Sequence, residues 1–162
     1  MRLFAQEYAA TTDDFYTPNW VFDILGLVFD LDVAAPPGGV EYIPARRHFS
    51  CEEDGLSQEW YGRVWCNPPY SAVTPWAEKW ATHRDGVFLG PFVKSRWLAG
   101  LLSASETIWV PRDPIYFGRP TELASGSISY QVFVAGRGDC AAAVNELAFR
   151  VPGAHLAPMA TR

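Results

Sequence analysis

The string Asn67-Pro68-Pro69-Tyr70 is the part of this sequence whose residue types and order are best suited to chemistry. It directly follows residues 62–66, an apolar run that indicates a buried strand. The side-chain oxygen of Asn67 and the carbonyl of Pro68 can accept the two N–H groups of an aromatic amine, and the prolines stiffen the backbone between them. The ring of Tyr70 offers a face on which a planar base can stack. The loop is therefore predicted to free an amine lone pair for attack on an electrophilic carbon.

This chemistry needs no strong base, because the amine becomes acidic only as the new carbon–nitrogen bond forms. An amide can therefore take the place of a carboxylate. The alternative interpretation is a rigid turn in which Tyr70 only packs against the core. A four-residue match remains a hypothesis until its structural context agrees with it.

The elements that must position this loop follow from apolar runs that alternate with amphipathic segments. Strands are predicted over residues 28–33, 62–66, 86–90 and 107–110, and helices over residues 18–25, 73–83 and 95–103. Thr17 is the expected N-cap of the first helix, Pro18 its first residue, and Gly26 its end. Residues 41–61 are predicted to be irregular. Alternating strands and helices predict a parallel, doubly wound α/β sheet.

The last third of the sequence has a different pattern. Residues 114–117 and 128–134 are strand-like with no helix between them, so we expect a hairpin or an antiparallel edge. Residues 141–150 are predicted to form a closing helix, and the tail beyond them to be loosely held. The expected fold is thus one α/β domain over residues 1–162, with an ordered core of about 14–150, a mostly parallel sheet and antiparallel C-terminal strands.

Two carboxylates lie where such a fold binds ligands, which is at the carboxyl ends of parallel strands. Asp32 lies near the carboxyl end of the first predicted strand, Asn67 follows the second, and Asp54-Gly55 lies in the loop between them. Asp32 could simply face water, and Asp54-Gly55 could simply form a turn. A cationic ligand that carries hydroxyl and amino groups would nevertheless favour carboxylates in these places.

Several other site classes lack their residues. His48, His83 and His155 have no partners at metal-ligand or catalytic-triad spacing, so we expect no metal. The three cysteines are far apart and odd in number, which indicates free thiols in a reducing cytoplasm.

The net charge of −5 argues against a protein that coats nucleic acid non-specifically. Basic residues are loosely grouped at Arg46-Arg47, at Lys94 with Arg96, and at Arg112 with Arg119. They are either scattered solubilising charges or local phosphate contacts. No stretch has the length and apolarity of a membrane span, and residues 1–7 lack the order of a secretory signal, so we expect a cytoplasmic protein without a membrane partner.

Together, the motifs of the chain resemble the phage-type DNA adenine methyltransferases, a compact family of bacteriophages and prophages. The resemblance covers residues 14–135, in the order DFYTP at 14–18, DLDVAAPP at 30–37, EDGL at 53–56 followed by Trp60, VWCNPPYS at 64–71, Pro75-Trp76, GVFLGPF at 86–92, SRW at 95–97 and RDPIYF at 112–117.

The resemblance implies a Rossmann-like fold that uses S-adenosylmethionine to methylate the exocyclic amine of adenine in DNA, in the cytoplasm of a bacterial host. Residues 67–70 are then the catalytic loop, with the target base flipped into it. The implied cofactor contacts are Tyr16, Thr17, Pro18, Asp32, Ala34, Asp54 and Asn67. Protection of phage DNA from host restriction is the role expected from the family.

The chain departs from wider methyltransferase families in two ways. Residues 32–35 stand where a glycine-rich cofactor loop is common, and there is no room for a separate target-recognition domain. DNA is therefore read by residues 92–97 and 112–120, or specificity is low, or it comes from a second subunit or a homo-oligomer. The candidate DNA contacts are Lys94, Arg96, Trp97, Arg112, Phe117 and Arg119.

Two other functions remain open. A similar loop can position the side-chain amide of a protein glutamine, although the enzymes that do so usually carry the glycine-rich loop and a longer N-terminal region. A cofactor- or DNA-binding subunit without catalysis is the other alternative, and the intact residues 67–70 count against it.

Overall fold

A computed structural model gives the fold and describes residues 15–118 and 131–157. The helices are α1 Asn19–Leu25, α2 Val73–Thr82, α3 Arg96–Ala104 and α4 Ala141–Arg150. The strands are β1 Phe29–Asp32, β2 Ala45–His48, β3 Val64–Cys66, β4 Gly86–Pro91, β5 Thr107–Pro111, β6 Val132–Arg137 and β7 Gly153–Leu156. Short 3-10 turns precede α2 and α4.

The seven strands form one sheet in the order β2-β1-β3-β4-β6-β5-β7. The first four in this order are parallel, and the ladders that β6 forms with β4 and β5, and β7 with β5, are antiparallel. The mixed α/β fold with a parallel part followed by antiparallel strands therefore agrees with the expected class. β1 is paired on both sides, so that Asp32 lies beside His48 of β2 and Trp65 of β3.

Most of the predicted elements of the first two thirds are confirmed within one or two residues. Gly26 ends α1 with φ +60°, a left-handed conformation that glycine adopts at low cost. Ser95 caps α3, since its hydroxyl accepts a hydrogen bond from the N–H of Leu98. The predicted closing helix coincides with α4.

The expected cap of α1 is wrong by one residue. Pro18 is the N-cap, with an extended ψ of 149°, and the helix begins at Asn19. The hydroxyl of Thr17 does not cap the helix, because it accepts a hydrogen bond from the side chain of Asn67.

Four predictions about strands need correction. Residues 41–61 contain β2, whose side chains Arg46, Arg47 and His48 are exposed. Charged side chains are typical of an edge strand, but they remove the alternation of apolar and polar residues by which a strand is recognised in a sequence. Residues 114–117 form no strand, and their side chains at 115 and 117 instead enter the core.

The antiparallel segment also lies elsewhere than expected. β6 is not at the edge but between β4 and β5, as its continuous burial demands, whereas its predicted first residues, 128–130, lie outside the described residues. The edge strand at this end of the sheet is β7, in the region that the sequence indicated to be loose. Its side chains are exposed, and besides the backbone ladder with β5 the imidazole of His155 is hydrogen-bonded to Thr107 and Asn145.

Helices cover both faces of the sheet, and each face has its own core. On one face, α2 and α3 pack over Leu31, Val64 and Phe133. On the other, α1 and α4 pack over Phe29 and Trp65. Within the described residues, no helix has the length and apolarity needed to cross a membrane.

Phe133 tests how much the inserted strand β6 contributes to stability. Its ring is fully buried and lies 5.9 Å from that of Phe88 and 6.4 Å from that of Trp97. Phe133→Ala is expected to lower the free energy of unfolding by about 3–5 kcal/mol, since it removes a large side chain and leaves a cavity.

The matched control is Phe149→Ala on α4, because 87% of the Phe149 side chain is exposed. It should change stability by less than about 0.5 kcal/mol. Urea unfolding of both variants checks the difference, and equal effects would contradict the packing of β6 described above.

Candidate active site

A cavity of about 330 Å³ opens at the carboxyl ends of β1 and β3. Its size lies within the range of sites for small organic ligands. Polar groups of the wall come from Thr17, Asp32, Ser50, Asp54 and Asn67, and most of the remaining wall is apolar. The elements explain this convergence, because neighbouring parallel strands end at the same edge of a sheet.

Asp32 is the most unusual ionisable group of the cavity. Only 4% of its surface is exposed, and Oδ1 accepts one hydrogen bond, from the N–H of Ala34 at 3.3 Å. Burial disfavours the charged form and raises the pKa of the carboxyl to about 7, although the hydrogen bond from Ala34 acts in the opposite direction. Near neutral pH this carboxyl therefore has access to both protonation states, and a cationic ligand would favour the charged one.

The Asn67 side chain lies one strand away and is fixed by the N-terminal segment. Its Nδ2 donates to the carbonyl of Phe15 at 3.1 Å and to Oγ1 of Thr17 at 3.2 Å. Thr17 is itself almost completely buried. The amide is thus held across a sequence separation of about fifty residues by a segment that lines the same cavity.

The loop of residues 50–60 forms another part of the wall. Ser50 begins it, donating from both N–H and hydroxyl to one carboxylate oxygen of Glu53. Asp54 has φ +54°, the one positive value at a non-glycine among the described residues. A Cβ at Gly55 would lie 2.0 Å from the carbonyl oxygen of Val33, so only glycine allows this close approach to the end of β1.

Trp60 and Lys79 anchor this loop to α2. The indole of Trp60 donates to the carbonyl of Gly55 and stacks on Trp76, at 6.3 Å between ring centroids. The ammonium of Lys79 donates to the carbonyl of Leu56 and lies 4.9 Å from the centre of the Trp60 ring. These contacts give the motif of residues 53–60 a physical role, which is to hold Asp54 at the cavity.

The structure brings together seven of the predicted loop and cofactor residues. They are Tyr16, Thr17, Asp32, Ala34, Asp54, Asn67 and Pro69. Pro18, Pro68 and Tyr70 are not among the cavity-lining residues. The ring of Tyr70 packs against the core under α1 and α4, and its hydroxyl is buried without a partner among the described residues. Burial raises the pKa of Tyr70 far above its ordinary value.

The candidate DNA contacts do not form one group. Lys94, Arg96 and Arg112 are exposed, but Arg112 forms an ion pair with Asp113 at 3.0 Å. Trp97 and Phe117 belong to the two cores, with 9% and 4% of their surfaces exposed, so they present little surface to a nucleic acid. Arg119 lies outside the described residues.

Sequence reasoning did not find several cavity residues, among them Ser50, Cys51, Trp65 and Trp76. The serine followed three positions later by Glu53 was a usable signal, since this spacing is typical of a capped turn. Cys51 is exposed at the cavity, and Cys66 and Cys140 are buried free thiols. The described residues contain no cluster of His, Cys, Asp and Glu side chains that could hold a metal ion.

A family model described as DNA N-6-adenine-methyltransferase (Dam) matches residues 5–117. The match covers 113 of the 162 residues and includes both strand ends that form the cavity. No curated protein sequence matches the chain significantly.

The raised pKa of Asp32 predicts how stability depends on pH. The folded protein keeps a proton on this carboxyl between about pH 3.8, where the unfolded chain releases it, and about pH 7. The contribution of Asp32 therefore lowers the free energy of unfolding as pH rises through this window, by about 2–3 kcal/mol between pH 5 and pH 8.

Asp32→Asn should remove that part of the pH dependence, and the exposed residue Asp23, changed to Asn, is the control. Urea unfolding across this pH range, without added ligand, makes the comparison. Parallel stability curves for the wild type and Asp32→Asn would mean that the carboxyl is not destabilised by burial.

Proposed function

Because the chain belongs to the DNA N-6-adenine-methyltransferase (Dam) family, we propose that it transfers the methyl group of S-adenosylmethionine to the exocyclic amine of adenine in DNA. The observation that carries the proposal is the shared cavity of Asn67 and the buried carboxyl of Asp32. One supplies an acceptor for an amine, and the other supplies negative charge for a cationic cofactor.

The residues of the cavity fit this cofactor. S-adenosylmethionine, when bound, supplies a methyl group activated by a positively charged sulfur, and it also carries a ribose, an amino group and an adenine. Asp32 and Asp54 would accept hydrogen bonds from its donor groups, while Tyr16 and Ala34 would add further contacts. The positive charge of the cofactor would favour the ionised form of Asp32. A carboxyl whose pKa is about 7 without a ligand would therefore become charged when the cofactor binds.

The catalytic loop would act on the target amine by hydrogen bonding. The Asn67 side-chain oxygen and the Pro68 carbonyl each accept one N–H, so that the nitrogen lone pair is drawn out of conjugation and aimed at the methyl carbon. The two prolines keep both acceptors in place. As the new bond forms, the nitrogen becomes acidic and loses a proton to solvent, and no side-chain base is required.

The DNA would have to deliver its adenine unstacked, because a base inside a duplex cannot enter a cavity at a strand end. Lys94, Arg96 and Arg112 would contact phosphates on the surface beside the carboxyl ends of β4 and β5. Stacking of the flipped base on Tyr70 would require that ring to turn away from the core. Such a turn would also give its buried hydroxyl access to water.

Cys51 offers a test of the cofactor site that does not depend on activity. It lines the cavity and is exposed, whereas the two other cysteines are buried. A thiol reagent such as dithionitrobenzoate should modify one cysteine rapidly. Saturating S-adenosylmethionine should slow that reaction at least about 10-fold, because it occupies the space beside the thiol. Adenosine triphosphate, which has an adenine but no sulfonium, is the control. An unchanged rate with S-adenosylmethionine would show that the cofactor does not bind in this cavity.

Replacing Asn67 tests the catalytic role and the proposed function together. Radiolabelled S-adenosylmethionine is incubated with unmethylated DNA, and the nucleosides are identified by mass spectrometry. The wild type should yield N6-methyladenine, and Asn67→Ala should lower the rate at least about 100-fold, since it removes one of two acceptors that act in the transition state.

Asn145→Ala is the matched control for the loss of an amide, since Asn145 is bonded to Thr107 at the amino end of β5 and is not among the cavity-lining residues. It should retain the rate. Cofactor binding without transfer to any DNA would favour a protein glutamine as substrate or a subunit without catalysis. Full activity of Asn67→Ala would refute the mechanism.

A further inference from the structure

The amide of Asn67 has its two donor hydrogens engaged on the protein side. The carbonyl of Phe15, at 3.1 Å from Nδ2, can only accept, so the nitrogen and not the oxygen must face it. The second acceptor is Oγ1 of Thr17 at 3.2 Å. An asparagine whose N–H groups are both taken can offer a substrate only its oxygen. Asn67 thereby changes from a group that could donate or accept into an acceptor.

The segment that holds the amide is itself firmly fixed. Tyr16 exchanges two backbone hydrogen bonds of 2.9 Å with Gly118, and the ring of Phe15 meets that of Phe117 edge-on. The hydroxyl of Tyr42 donates to the carbonyl of Thr17 at 2.9 Å. Thr17 therefore has a defined position, with its backbone carbonyl bound on one side and its side chain on the other.

We propose, on the basis of the function proposed above, that Thr17 is a positioning residue that orients the Asn67 amide and so selects for substrates that present N–H groups. An amine is accepted, whereas a base that places a carbonyl at this point meets the oxygen of Asn67 with its own. This role is distinct from a cofactor contact. A contact would act on cofactor affinity, but orientation acts on the methyl-transfer step.

Thr17→Val is the direct test, because valine keeps the shape of threonine and removes the acceptor. One N–H of a half-buried amide then loses its partner, and only the hydrogen bond to the Phe15 carbonyl still holds the amide. The rate of methyl transfer at saturating cofactor and DNA should fall about 10-fold, while the Kd for S-adenosylmethionine changes less than about three-fold. Thr17→Ser keeps the hydroxyl and should restore the rate.

Tyr42→Phe is a second variant, since Tyr42 is not among the cavity-lining residues. It releases the carbonyl of Thr17 and should lower the same rate by a smaller factor with an unchanged Kd. A Thr17→Val rate within about two-fold of the wild type overturns the proposal, whatever happens to Kd. So does a loss that appears in Kd alone, because Thr17 would then be a cofactor contact.

A nitrogen NMR spectrum separates failure of this proposal from failure of the proposed function. The side-chain NH₂ signals of Asn67, identified by their absence in Asn67→Ala, should shift in Thr17→Val and return in Thr17→Ser. If the wild type methylates no adenine but these signals behave so, the amide is oriented by Thr17 and the assigned reaction is wrong. If the wild type is active and the signals do not move, the positioning role is wrong.

Discussion

Asp32 is a carboxylic acid enclosed by a sheet and two loops, with one backbone N–H as its donor and no cation beside it in the described part of the chain. Ionising it is unfavourable, which is why its pKa lies near 7. β1 is paired on both sides, so the backbone that carries Asp32 is held in place at the cavity. A buried carboxyl without a neighbouring cation is common in binding sites, because a ligand can supply the positive charge that the fold does not.

The rest of the site is arranged around that point by three separate parts of the chain. β3 ends beside β1 and brings Asn67, the loop of residues 50–60 contributes Asp54, and the N-terminal segment completes the wall with Thr17. Each part has its own anchor: the sheet, the Trp60–Lys79 pair, and the bridge between Tyr16 and Gly118. Local sequence thus determines which groups are present, and long-range contacts determine which atoms of those groups face the cavity.

Parts of this arrangement that depend on residues close together in the sequence could be predicted, whereas parts that depend on contacts between distant residues could not. Asp32 and Asn67 could be placed at one edge because Asp32 lies near the end of an alternating strand pattern and Asn67 directly follows an apolar run, and parallel strands share that edge. β2 could not be found, because a charged edge strand has no hydrophobic period. The bond between Thr17 and Asn67 joins residues far apart in sequence, and nothing near Thr17 indicates it, so the helix cap was the natural expectation. The position of β6 between β4 and β5 could not be predicted from the local sequence either.

That insertion affects the order in which the molecule can be assembled. β4 and β5 are not neighbours, and the space between them is filled by a strand from residues 132–137, beyond the region that matches the family model. As the chain leaves the ribosome, the parallel half of the sheet can pair while both β4 and β5 still have an open edge. Unpaired edges of apolar strands invite association with other chains. We therefore expect the nascent protein to be most prone to aggregation in the interval between synthesis of β5 and synthesis of β6.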